Sequence, residues 1–176
     1  MPAPRPGYVL VAEKEIAARV AELGRAITRD YGETNLVLVG VLQGAIPFVA
    51  DLMRALPIDL TVDFLRASSY GSGTTSSGTV HLAADLSVDI ADRHVLIVDD
   101  IVDTGHTLAA LKRELEARRP RSVRTCVLLD KTGRREIEVT IDYVGFTIPN
   151  VFVVGYGLDY DGLYRNLPHV ATLEGI

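Results

Sequence analysis

The chain has 176 residues, 48% of them apolar and 23% charged, with a net charge of −5 from 18 basic and 23 acidic side chains. That length and composition suit one globular domain spanning residues 1–176 with a sizeable core. The acidic balance argues against broad electrostatic binding of nucleic acid, which needs a basic surface. No apolar run approaches the roughly 20 residues of a membrane span, so no membrane partner is expected. Residues 1–7 are proline-rich and lack the apolar stretch of a secretory leader, so a cytoplasmic location is expected. The single cysteine, Cys126, lies in an apolar run and reads as a buried small residue rather than a reactive thiol. His81, His94, His106 and His169 show no metal-ligand spacing.

Taken in order, Ile16, Val20, Leu23, Ile27 and Tyr31 recur at helical spacing, which predicts an amphipathic helix over residues 13–31 ending near Gly32. Residues 36–42 (LVLVGVL) form a continuous apolar run, the pattern of a strand buried on both faces. Residues 44–56 read as a helix, with Pro47 tolerable only in its first turn. Residues 59–66 alternate, with Leu60, Val62 and Phe64 apolar, and predict a strand. Residues 67–78 are rich in Gly, Ser and Thr and predict a spacer or a mobile lid, with residues 79–83 as the returning strand of a hairpin. Residues 94–99 are a buried strand, 107–118 a helix stopped by Pro120, and 121–129 a further apolar strand. This alternation predicts an α/β fold with a mainly parallel central sheet flanked by helices. In such a sheet the ligand crevice lies beyond the carboxyl ends of the strands.

One segment at such an end carries chemistry. Residues 95–107 read VLIVDDIVDTGHT. An apolar strand delivers Asp99 and Asp100, and a short loop then carries Asp103, Thr104, Gly105 and Thr107 into the next helix. A loop entering a helix presents unpaired N–H groups and a positive dipole end. Gly105 permits a tight turn close to an anion, and the two threonine hydroxyls add donors. The result is a cradle for one phosphate. The adjacent acids would repel that phosphate and suit ribose hydroxyls or Mg²⁺ instead. A P-loop needs G-x-x-x-x-G-K-[ST], which is absent. The Gly71-Ser72-Gly73 and Gly155-Tyr156-Gly157 fragments do not complete a dinucleotide fingerprint. A helix cap alone would explain the Thr and Asp residues, but not the whole constellation.

These residues resemble the ribose-phosphate signature of the type I phosphoribosyltransferases. The segments LVGVLQGAIPF (38–48), SSYG (68–71), VDDIVDTGHTL (98–108), LLDK (128–131), DYVGFTIPNVFVVGYGLDY (142–160) and YRNLPHV (164–170) narrow the resemblance to the hypoxanthine–guanine phosphoribosyltransferase family. The resemblance runs from about Tyr8 to the end of the chain. It implies a small C-terminal hood over a base site, and transfer of a 5-phosphoribosyl group to hypoxanthine or guanine. By that resemblance Asp99 and Asp100 contact the ribose hydroxyls and, with Asp159, bind Mg²⁺. Asp103 lies near N7 of the purine as the catalytic acid/base. Thr104, Gly105, His106 and Thr107 hold the 5-phosphate. Lys131 reaches the 6-oxo group, Phe152 stacks on the ring, and Val153 and Asp159 border the base. Leu42, Gln43 and Gly44 form the pyrophosphate loop, where the family often has a non-proline cis peptide, and Arg165 faces the pyrophosphate. Ser69 and Tyr70 belong to the lid. A homodimer or homotetramer is implied.

The residue chemistry is compatible. Loss of pyrophosphate leaves positive charge on the ribose, much as in glycoside cleavage. Lys131 can donate to a carbonyl oxygen, and the planar guanidinium of Arg165 suits phosphate oxygens. Taken singly, Lys131 and Arg165 would read as surface cations, Asp159 as a turn residue and Phe152 as core packing. Two positions depart from the family pattern: Gln43 stands where lysine is common, and Asp99 where glutamate is usual. A competing expectation on the same fold is an RNA-binding pyrimidine operon regulator with uracil phosphoribosyltransferase activity, which should carry a basic face. A diphosphokinase-like enzyme would need an ATP site that the sequence does not supply.

Overall fold

The computed structural model describes residues 4–68 and 81–175. The expected lid residues Ser69 and Tyr70 lie outside the described residues.

A six-stranded sheet forms the centre. Its strands in chain order are β2 (Leu36–Val41), β3 (Leu60–Ser68), β4 (His81–Ala84), β5 (His94–Val102), β6 (Ser122–Asp130) and β7 (Tyr143–Thr147). The spatial order is β4-β3-β2-β5-β6-β7. Every pairing is parallel except β3 with β4, so the expectation of a mainly parallel sheet is met. All six residues of β2 are buried, as the unbroken apolar run requires.

Side chains alternate along the central strands, so each strand feeds two cores. Leu36 and Leu38 of β2 and Leu96 and Val98 of β5 face helices α1 (Glu13–Tyr31) and α2 (Ile46–Arg54). Val37 and Val39 of β2 and Val95 and Ile97 of β5 face α3 (His106–Glu116) through Leu108, Leu111 and Leu115. The five apolar residues expected to form the inner stripe of α1 are all buried. Its entry is fixed by the Ala12 N–H, which donates to Glu15 Oε2 at 2.7 Å. Acids in its first turn complement the helix dipole. Gly32, at φ 54°, ends it with an N–H bond to the Thr28 carbonyl at 2.8 Å.

Two of the boundaries that differ from expectation bear on the site. α2 starts at Ile46 rather than residue 44, because residues 42–44 turn sharply between strand and helix; Pro47 does sit in its first turn. β5 continues to Val102, three residues past the expected end, because β6 pairs with it as far as Val102–Asp130. Asp99 and Asp100 therefore belong to the strand itself. The hood is a second sheet in the order β1-β9-β8, from β1 (Arg5–Val11), β8 (Val153–Val154) and β9 (Val170–Glu174). It takes its outer strand from the beginning of the chain, not only from the C-terminal segment.

Phe48 is fully buried between α2 and the sheet. Phe48→Ala is expected to cost about 3–5 kcal/mol through lost burial and the cavity left behind. Urea denaturation followed by circular dichroism would measure it.

Candidate active site

The carboxyl ends of β2, β5 and β6 bring residues 42–44, 99–107 and 131 to one end of the sheet. The Leu42–Gln43 peptide is cis. Gly44 follows, and a Cβ there would lie 1.7 Å from Asp100 Oδ2, so the carboxylate rests directly on its backbone. Gly157, at φ 99°, comes as close from the hood side: its Cβ would lie 1.9 Å from the Gly44 carbonyl oxygen. Both positions demand glycine for close approach.

Asp99 is buried and Asp100 partly so. Asp99 Oδ1 accepts the Asp100 N–H at 2.9 Å, and Asp100 Oδ1 accepts the Ile101 N–H at 2.8 Å. Burial, and then the neighbouring Asp100 charge, push the Asp99 carboxyl well above the usual range. Burial also raises Asp100, against the pull of the Asp99 hydrogen bond and the Arg165 charge. Two desolvated carboxylates side by side make a hard-oxygen donor pair whose ionised form a divalent cation would stabilise.

The phosphate loop is braced from behind. Gly105, at φ 94°, is the N-cap of α3. Its Cβ would meet Arg135 Cδ and the Ile137 carbonyl oxygen at 3.1 Å each. The Thr104 carbonyl accepts the N–H groups of Glu136 and Ile137 at 3.0 and 3.3 Å. His106 Nε2 lies 2.8 Å from Glu136 Oε2. A cavity of about 110 Å³ opens here, bordered by Asp99, Asp103, Thr104, Gly105 and Thr107 among others. Larger clefts, of about 580 and 670 Å³, lie against α1 and α2 and around residues 56–59. They lack this combination of acids and helix N-terminus.

Lys131 is only 6% exposed, which is not the behaviour of a solvated surface lysine. Its N–H donates to the Val102 carbonyl at 2.9 Å. Burial pulls its ammonium below the usual lysine range, and Asp103 opposes that shift. Phe152 is 43% exposed and meets Tyr160 edge-on, with centroids 5.8 Å apart, so it is not core. Val153, beside it in β8, is buried.

Asp159 and Arg165 form a closed unit. Arg165 Nη2 lies 2.8 Å from Asp159 Oδ1, and its Nη1 donates to the Gly157 carbonyl at 2.5 Å. Asp159 Oδ2 accepts the Gly162 N–H at 2.8 Å. The structure therefore does not gather Asp99, Asp100 and Asp159 into one metal cage. Among the described residues no three His, Cys, Asp or Glu side chains are close enough to hold an ion.

Sequence reading missed several supports. The Tyr156 hydroxyl donates to Asp51 Oδ2 at 2.5 Å, tying the hood loop to α2. Arg134, Arg135 and Glu136, which the sequence did not single out, contact Asp103, Asp130 and His106 respectively. No local pattern marks them, because each pairs across a turn or between loops.

Residues 10–161 match the family model described as the phosphoribosyl transferase domain. The chain is also 51% identical over 172 residues to the hypoxanthine-guanine phosphoribosyltransferase of Mycobacterium bovis, covering 94% of this chain and 85% of that protein. The chain belongs to the hypoxanthine–guanine phosphoribosyltransferase family. It is 48% identical to the hypoxanthine phosphoribosyltransferase of Escherichia coli, with 94% of each covered. A crystal structure of a hypoxanthine phosphoribosyltransferase from Staphylococcus aureus superposes with a TM-score of 0.92 at 43% identity, covering 96% of this chain and 92% of that one. The type I phosphoribosyltransferase fold and the transferase class follow from these likenesses.

Two outcomes are expected from this geometry. Gly44→Ala forces the Asp100 carboxylate aside, so turnover should fall about 100-fold, the scale of a 1 Å misplacement, while the thermal midpoint stays near wild type. Asp99 and Asp100 bind protons more readily folded than unfolded, so their ionisation opposes folding and stability falls as pH rises through their folded range. Asp99→Asn should therefore raise the midpoint by about 2–4 °C near neutral pH, with the gain shrinking in acid. Calorimetry across pH would read it.

Proposed function

We propose that the protein joins a 6-oxopurine, hypoxanthine or guanine or both, to 5-phosphoribosyl 1-diphosphate, giving IMP or GMP and pyrophosphate. The observation that carries this reading is the convergence, at one sheet end, of a buried acid pair, a braced phosphate loop, and Lys131 beside Asp103. The names of the relatives support the same chemistry. Purine salvage is the corresponding role.

The reacting bonds balance simply. The bond from ribose C1′ to the diphosphate oxygen breaks, and the bond from C1′ to purine N9 forms. The purine loses its N7 proton, for which Asp103 is the proposed acceptor. The α3 N-terminus, Thr104, Gly105, His106 and Thr107 bind the 5-phosphate. Lys131 donates to the 6-oxo group, and Phe152 covers the ring, with Val153 and Asp159 at its edge. Residues 42–44 and Arg165 orient the pyrophosphate. Ser69 and Tyr70 are proposed to close over the site and exclude water. Asp99 and Asp100 would bind the ribose hydroxyls and hold Mg²⁺ together with substrate oxygens; when bound, the ion neutralises charge on the leaving pyrophosphate. Asp159 would offer an ion the lone pairs left free by Arg165 and the Gly162 N–H.

The substrates are small molecules, and the proposed assembly is a homodimer or homotetramer in the cytoplasm. A similar structure from Trypanosoma cruzi, a hypoxanthine phosphoribosyl transferase, is described in terms of its oligomeric state. Among the described residues no helix is long and apolar enough to cross a membrane. The pyrimidine operon regulator is not favoured, given the net charge of −5 and relatives named for hypoxanthine.

The test offers phosphoribosyl diphosphate and Mg²⁺ with hypoxanthine, guanine, xanthine, adenine or uracil in turn. Nucleotide is expected from hypoxanthine or guanine. Asp103→Asn should lower the rate by about 10²–10⁴-fold, the usual worth of acid–base catalysis. Chelation with EDTA should abolish turnover, and excess Mg²⁺ restore it. Product from uracil alone would instead support the regulator.

A further inference from the structure

The two carboxylate oxygens of Asp103 sit in different environments. Oδ2 lies 3.4 Å from Nη1 of Arg134. Oδ1 is buried and has no hydrogen-bond partner among the described residues. A buried carboxylate oxygen without a donor is costly, so it calls for a reason in function.

The backbone around Arg134 places it opposite Asp103. The residues flanking Asp103 are Val102 and Thr104, and the carbonyls of both accept bonds from the segment that carries Arg134. Lys131 N–H donates to Val102, and the Glu136 and Ile137 N–H groups donate to Thr104. Between these clamps the chain makes a single 3₁₀ turn, Thr132–Arg134. Arg135 is drawn the other way, to Asp130. Arg134 is thus left facing the acid.

We propose that Arg134 is a positioning residue for phosphoribosyl transfer, its charge beside Oδ2 holding Asp103 in this costly pose so that the carboxylate can receive the purine N7 proton. This rests on the acid–base reading of Asp103 given above. As the C1′–N9 bond forms and the C1′–O bond to diphosphate breaks, the N7–H proton passes to the Asp103 carboxylate. The N–H electron pair stays in the purine ring. The guanidinium beside Oδ2 restrains the orientation of the carboxylate. Side-chain exposure at Arg134 is 50%, so the ion pair is solvent-screened and adds little to fold stability. Its effect belongs to the reaction.

The test is a double-mutant cycle on the intact enzyme with hypoxanthine, using Arg134→Gln, Arg134→Lys, Asp103→Asn and the double variant Asp103→Asn/Arg134→Gln. Thermal melts accompany the kinetics. Arg134→Gln is expected to lower kcat about 10-fold with an unchanged melt and an unchanged KM for phosphoribosyl diphosphate. Arg134→Lys, which keeps the charge, should recover most of that loss. In the Asp103→Asn background Arg134→Gln should cost nothing further, because a residue acting through Asp103 has nothing left to position. Equal fractional losses in both backgrounds, or a loss carried by KM for phosphoribosyl diphosphate, would reduce Arg134 to a structural brace and overturn the proposal. Wild-type kcat in Arg134→Gln with an impaired Asp103→Asn would overturn the proposal alone. Wild-type kcat in Asp103→Asn would overturn the reading of Asp103 itself.

Discussion

Two neighbouring carboxylates at the buried end of a central strand repel each other, and much of the surrounding structure answers to that fact. Asp99 and Asp100 extend β5 rather than leave it, so the strand holds the two acids side by side at its end. Each takes a backbone N–H from the residue that follows it. Asp100 finds room only because Gly44 has no side chain, and Gly44 in turn accepts the close approach of Gly157. A protein built for stability alone would not bury this pair. A protein that gathers a divalent cation there, as proposed, gains from it, since the cation would supply the missing countercharge.

The second constraint is the brace behind the phosphate loop. A cradle of N–H groups works only if it is rigid, because an anion is held by converging dipoles rather than by one bond. The segment from Lys131 to Ile137 provides that rigidity with three backbone bonds to Val102 and Thr104. It also delivers Lys131, Arg134 and Glu136 toward the site from outside the loop. The proposed phosphate grip and the proposed acid–base chemistry therefore share one scaffold, and a disturbance at residues 131–137 would reach both.

The sequence made the central sheet apart from β7, the helices and the phosphate loop legible because those features are local. A buried strand is an apolar run, a helix face recurs every three or four residues, and a phosphate loop is a short contiguous string. The hood was visible only through resemblance. Its strand β1, with Pro6 and Gly7 and two exposed apolar residues, Tyr8 and Val9, shows no alternation, and it pairs with residues some 160 positions away. Lys131 and Phe152 sat between surface, core and site in the sequence. Burial separates them: the lysine is enclosed beside Asp103 and the phenylalanine is half-open against Tyr160. The pairings of Arg134, Glu136 and Arg165 follow from loop geometry, which no spacing rule encodes.

Of the residues proposed for the base, Phe152, Val153 and Asp159 belong to the hood, whereas residues 42–44, proposed for the pyrophosphate, follow β2 of the central sheet, so their registration has to be built. Tyr156 provides it. Its ring is buried, its hydroxyl bonds Asp51 of α2, and its backbone N–H bonds the Leu167 carbonyl. Burial and the Asp51 carboxylate both push its phenol above the usual range, so it stays a hydrogen-bond donor at any physiological pH. α2 begins where residues 42–44 end, and the hood loop carries Phe152, Val153 and Asp159. One hydrogen bond, backed by the contact of Gly157 on Gly44, thus links the hood residues proposed for the base to the loop proposed for the leaving group. In-line displacement at C1′ requires the base and the diphosphate to lie on opposite sides of one carbon. A link that sets the spacing of the two half-sites before either ligand arrives contributes the orientation that such a displacement requires.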